Sequence, residues 1–176
     1  MNIFYLSPLP EFAAMDHCDQ HCSKMMIEYA QLMSTAHRLT DSPWAEQCYK
    51  TAHKNHPSTI WTRESAENYK WLYKLWSALA GEFYNRRGKD HASWTKLKDV
   101  LCNVPPRLPA RPFEQPPQCM PDEYKRPGDS MEAYRAYYKG DKARFAKWDW
   151  PNAETPFWWN REKDSSEGLT SADSMV

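Results

Sequence analysis

A chain of 176 residues with 41% hydrophobic content is long enough to bury one core. Its 23 Lys and Arg balance 23 Asp and Glu, which excludes a wholly basic protein that coats nucleic acid along its entire surface. No run of about 18 apolar residues exists, which excludes a hydrophobic membrane-spanning helix.

The neutral total hides an uneven distribution. The formal charge is −4 over residues 1–49, +6 over 50–98, +1 over 99–149 and −3 over 150–176. A basic middle fits a polyanion groove in an otherwise neutral protein. Aromatic residues make up 14% of the chain, suited either to a packed core or to stacking on bases and sugars. Five cysteines leave an odd one in any pairing scheme. The opening "MNIFYLSPLP" has neither the basic start nor the long apolar run of a secretory signal. The expectation is a cytoplasmic monomer whose cysteines are reduced and buried as apolar groups.

In chain order, "MNIFYLS" is a short apolar run, a brief strand or an extended arm, ended by "PLP". Pro10 and Glu11 suit a helix start, and no Pro or Gly follows before "TDSP", so one long helix is expected over 11–39. Residues 44–56 read as a loop with one helical turn at most. From Pro57 to Gly88, Ile60, Trp61, Tyr69, Leu72, Tyr73, Trp76, Leu79 and Phe83 recur at helical spacing, and Gly88 after "NRR" is a C-terminal cap. A shorter helix follows over 92–103. Residues 104–121 form a proline-rich extended connector. The stretch "DSMEAYRAYYKGDKARFAKW" reads as a helix capped by Asp129 or Ser130, with Gly140 as its weak point. The class is all-α: one domain over 1–159 built on three or four main helices with long loops. A polar tail over 160–176 is expected to be disordered.

On one helix over 11–39, His17, His21, Lys24, Glu28 and Thr35 share a face. A solvated face would be rich in Lys and Glu rather than in paired histidines, so this stripe is a candidate site. His17 and His21 have the spacing of two zinc ligands, but Cys18 and Cys22 lie on a face rotated by about 100°. No CxxC or HExxH pattern supports a metal, and none is expected. A carboxylate at 28 near His21 and Lys24 suits acid/base work or stabilisation of a cation. "HKNHPS", with Lys54, His56 and Ser58 ahead of a helix, is either a phosphate-binding helix start or a capped loop. Arg63 is either a surface ion-pair partner of its helix or a pocket residue. Arg135, Lys139 and Lys142, beside Tyr138, have the spacing of a helix that contacts a phosphate backbone or of a solvated face over a core stripe.

The stretch "DQHCSKMMIEY", residues 19–29, resembles the opening helix of the pyrimidine-dimer DNA glycosylases of the phage endonuclease V type. In that family a D-Q-H is followed, seven residues after the His, by a catalytic Glu. The ungapped match puts His21 and Glu28 on those positions. "NHPSTIW" and "YRAYYKGDKA" are similar to later family segments, and the resemblance extends over residues 1–148. It is stronger still to the longer phage proteins that carry this family's label. "SPLPEF" and the proline-rich segment are extra relative to the family.

The resemblance implies an all-α DNA glycosylase, without cofactor, acting on double-stranded DNA that carries a damaged or modified pyrimidine. It would work in the host cytoplasm if phage-encoded. The family's N-terminal α-amine attacks C1′ of the damaged nucleotide and a Schiff base forms. An α-amine titrates near about 7.7–8.0, so far more of it is neutral at pH 7 than of a lysine. Here Asn2 follows Met1, so the amine would be carried by a retained Met1. The implied site is Met1, His21 and Glu28 for chemistry, with Asn2, His17, Lys24, His56, Arg63, Arg135, Tyr138, Lys139 and Lys142 toward DNA. Two other readings remain open: a nucleotide- or modified-base-processing enzyme of phage DNA metabolism, and a non-catalytic DNA- or protein-binding module.

Overall fold

The computed structural model describes residues 1–159. The expected polar tail, 160–176, lies outside them. Six α-helices follow in order: α1 Pro10–Asp16, α2 Asp19–Leu39, α3 Pro57–Glu64, α4 Ala66–Arg87, α5 Ala92–Leu101 and α6 Ser130–Lys139. Two short 3-10 turns, Ala45–Gln47 and Asp122–Tyr124, complete the regular structure, and no strand occurs among the described residues. The chain is all-α. No helix is long and apolar enough to cross a membrane among the described residues.

The expected helix over 11–39 is two helices. The break at His17 and Cys18 has a tertiary cause. Arg86, buried on α4, donates from Nη2 to the Met15 carbonyl at 2.9 Å and from Nη1 to the His17 carbonyl at 2.8 Å. Trp148 Nε1 donates to the Asp16 carbonyl at 3.2 Å. In a continuous helix those three carbonyls would accept the amides of residues 19–21. Asp19 N–H turns instead to the Lys147 carbonyl at 2.8 Å, and α2 restarts there.

The expected helix from residue 57 to 88 also divides. Ser65 is extended, its Oγ accepts the Asn68 amide at 3.0 Å, and the Ala66 amide goes to the Pro109 carbonyl at 2.9 Å. The serine thus caps α4 while the proline-rich connector occupies the gap. These two breaks turn an expected three or four helices into six.

Gly88 ends α4 in the left-handed conformation, φ +70°, where glycine carries no Cβ penalty. Asp129 caps α6 through Oδ1, which accepts the Glu132 amide at 3.0 Å. The α6 helix stops at Lys139 rather than running on to Trp148. Gly140 lies directly under the Tyr124 ring, and a Cβ there would overlap it. The segment "MPDEY", whose role is obscure in the sequence, therefore seats on the end of α6.

The core lies where α1, α2, α4 and α5 meet, centred on buried Met25, Met26, Leu32, Met33, Leu72, Trp76 and Leu79. The N-terminal arm, residues 1–9, is not a strand. It runs extended through this core, with Ile3 and Leu6 fully buried. Cys18, Cys22 and Cys48 are buried, as expected for apolar thiols, whereas Cys102 is exposed and Cys119 half-buried. All five are free.

Candidate functional site

The arm carries residue 1 back to the middle of α2. The Met1 α-ammonium lies 3.8 Å from Glu28 Oε1, with the methionine side chain buried and the glutamate 21% exposed. The pair lines a polar cavity of about 110 Å³, together with Asn2, Phe4, His21, Lys24, Met25 and Lys142. One carboxylate thus shares the cavity with three cationic groups. The cavity is small, open to solvent and lined by polar and charged groups, so it suits a sugar carbon or a phosphate oxygen brought to its mouth.

Two buried histidine–tyrosine pairs build this corner. His17 Nδ1 lies 2.6 Å from the Ala13 carbonyl, which can only accept, so Nδ1 carries the proton. His17 Nε2 then accepts from Tyr29 Oη at 2.7 Å, and Tyr29 Oη accepts the Phe4 amide at 3.1 Å. The chain of bonds runs from the arm, through the residue next to Glu28, to the end of α1. In the second pair, Tyr138 Oη accepts the Cys18 amide at 3.4 Å and lies 2.6 Å from His21 Nδ1. Cys18 sulfur is the other acceptor beside the Tyr138 hydroxyl, and the shorter bond to the better acceptor assigns the proton to Nδ1. His21 is thereby assigned the tautomer with hydrogen on Nε2. Its ring stacks on Phe4, with centroids 4.2 Å apart.

Burial keeps both imidazoles neutral. Desolvation is the largest cause in each case, lowering His17 to about 4 and His21 to about 2. Lys142, Lys24 and His17 push His21 further the same way. His21 is therefore a neutral hydrogen-bond donor at the cavity wall and not a base. His56 caps α3, its Nδ1 accepting the Ser58 amide at 3.1 Å, so this loop is capped by its own side chain. Desolvation lowers its pKa first; the Met1 amine and His53 lower it further, and Glu28 opposes them. His56 therefore belongs to the electrostatic surroundings of the pair.

The structure separates other residues expected at the site. His17 is fully buried and lies outside the cavity lining, because the helix break removes it from the α2 stripe. Thr35 is buried and bonds the Ala52 backbone. Tyr138 is fully buried, so it has no face for a base. Arg135 turns back into the protein: Nε donates to the Leu6 carbonyl at 2.9 Å, and its guanidinium lies over Phe157 and Trp158. It secures the arm. Lys139 lines a different cleft, with Glu123, Arg126 and Glu132. Arg63 is half-buried, and its Nη1 has no hydrogen-bond partner among the described residues. No group of three or more His, Cys, Asp or Glu side chains is placed to hold a metal among the described residues.

Residues that bear on the site but escaped sequence reasoning are Phe4, Tyr29 and Arg86. "NRR" reads as two equivalent C-terminal cations, yet Arg86 is buried and Arg87 exposed. Only the helical register, which turns residue 86 toward α1, distinguishes them. Compared with known protein families, curated proteins and solved structures, the chain shows no match.

Proposed function

We propose that this protein is a DNA N-glycosylase with abasic-site lyase chemistry, acting on a damaged or modified pyrimidine in double-stranded DNA. The observation that carries the reading is the juxtaposition of the Met1 amine and Glu28 at the wall of a polar cavity. An amine must lose its proton to attack, and the carboxylate 3.8 Å away is positioned to receive it. The nitrogen forms a bond to C1′, the glycosidic bond breaks, and the base leaves with its electron pair and takes up a proton. Glu28 stabilises the positive charge that develops on the sugar.

Opening of the ring at O4′ converts the adduct to an iminium. The His21 N–H, neutral and fixed by Tyr138, is suited to hydrogen-bond that oxygen as it gains charge. Loss of a C2′ proton then expels the 3′ phosphate by β-elimination. Lys24 and Lys142 neutralise phosphate charge at the cavity rim.

The test is borohydride trapping on duplex DNA containing an abasic site, followed by peptide mapping. The expected product is a covalent adduct on the α-nitrogen of residue 1. One extra residue placed ahead of Met1 should abolish it. A crosslink on a lysine, or none, overturns the proposal.

A further inference from the structure

Lys24 faces two cavities at once. Beyond the one it shares with Glu28 lies an open groove of about 510 Å³, lined by Gln20, Ser23 and Lys24 of α2, Phe83 and Arg87 of α4, and Lys89 and Trp150. This lining holds three cations and no carboxylate. None of the three forms an ion pair among the described residues. The cleft containing Arg135 and Lys139 differs, since Glu123 and Glu132 line it as well and would repel a phosphate chain.

The groove is held in shape from below. Asp19, buried at the start of α2, accepts the Asp149 amide at 2.6 Å and the Trp150 amide at 2.9 Å through Oδ2. Its Oδ1 meets Arg86 Nη1 at 3.2 Å. One carboxylate thus ties together α2, α4 and the 149–150 segment. Above it, the Arg87 guanidinium lies 4.5 Å from the Trp150 ring centre, a cation–π contact that holds the charge at the groove.

We propose that this groove is a backbone subsite for the strand flanking the reacting nucleotide, with Lys24, Arg87 and Lys89 each contacting a phosphodiester. The proposal rests on the glycosylase reading and extends it by naming where the rest of the strand lies. Lys24 joins the two cavities, so a strand whose sugar enters beside Glu28 continues into the groove without crossing an acidic residue of either lining other than Glu28.

The experiment measures binding of the full-length protein to a fluorescent abasic-site duplex over 50–200 mM salt. Two charge-matched double variants are compared: Arg87→Gln/Lys89→Gln in the groove, and Lys96→Gln/Lys98→Gln on α5, outside its lining. Losing two phosphate contacts should make the affinity loss across that salt range about tenfold shallower for the groove variant only. The single variant Lys89→Gln, at an exposed position, should give about a third to a quarter of that factor if the double folds poorly. Equal salt dependence in both doubles, with wild-type binding and borohydride trapping intact, overturns the groove alone. Absence of DNA binding and trapping in the wild type overturns the glycosylase reading and the groove with it.

Discussion

Tyr29 Oη accepts the Phe4 amide at 3.1 Å, and this buried bond ties the N-terminal arm to the residue adjoining Glu28. The arm has no helix or strand of its own, so the position of its first nitrogen depends on such anchors. Tyr29→Phe keeps the ring but leaves the Phe4 amide and His17 Nε2 without their partner. A matched control exists in the same molecule. Tyr69 is equally buried, bonds His37 Nε2 at 2.8 Å and donates to the Leu101 carbonyl at 2.7 Å. Both Phe variants should lose about 1–3 kcal/mol of stability in urea unfolding. Only Tyr29→Phe should slow borohydride trapping, by about tenfold or more, with substrate affinity unchanged. Equal trapping rates in the two variants would show that the bond is structural alone.

Glu28 tests the chemistry directly. It is partly exposed and its only charged partner among the described residues is the Met1 amine. Glu28→Gln should therefore fold with a nearly unchanged thermal midpoint. Its strand cleavage of abasic-site DNA should fall by about 10²–10⁴-fold, the usual share of a positioned acid or base.

Acid should unfold this protein through its histidines. Those whose pKa is lowered by folding bind fewer protons folded than unfolded, between the folded and unfolded values. The unfolded value is about 6.5. Stability is thus fully present above about pH 6.5. It falls as pH drops toward the folded values, about 4 for His17 and about 2 for His21. Each contributes a slope of about 1.4 kcal/mol per pH unit in that window. Urea midpoints measured from pH 7 to 4 should decline, and His17→Gln should flatten the profile. A pH-independent midpoint would contradict the buried neutral state.

Arg86 should be the most sensitive charged residue in the fold. Its guanidinium is buried, pairs with Asp19 and holds the Met15 and His17 carbonyls. Arg86→Met leaves a buried carboxylate and two carbonyls without their cation. The expected cost is about 3–5 kcal/mol, read from denaturant unfolding. Arg87→Met, one residue on and exposed, should cost no more than about 0.5–1 kcal/mol, the loss of its contact with the Trp150 ring.

Gly140 supplies a steric test. Gly140→Ala sets a methyl against the Tyr124 ring and should destabilise by about 1–3 kcal/mol. Combining it with Tyr124→Ala should recover part of that loss. A simple sum of the two single effects would exclude their direct contact.

Much of the helical content is legible in the residues themselves. Absence of Pro and Gly over 11–39, the three-and-four spacing of Tyr69, Leu72, Trp76 and Leu79, Gly88 as a terminator and Asp129 as a cap are local signals. Local backbone preferences and burial of one face suffice to produce those elements. The pattern also ranks Lys24 and Glu28 on a shared face, since i and i+4 are neighbours on any helix. The same logic fails for His17. Whether a helix runs through residue 17 depends on Arg86 and Trp148, distant in sequence, competing for its carbonyls. No local rule contains that competition.

The sequence by itself determines an all-α chain, the caps of its later helices and a polar stripe on α2. The tertiary structure alone decides what that stripe faces. It brings the Met1 amine to Glu28, buries Tyr138, turns Arg135 back onto the Leu6 carbonyl, separates Arg86 from Arg87, and joins Lys24 to Arg87 and Lys89 in one groove. The reason is physical: helix propensity acts over a few residues, whereas burial and hydrogen-bond satisfaction act between whichever segments the core brings together.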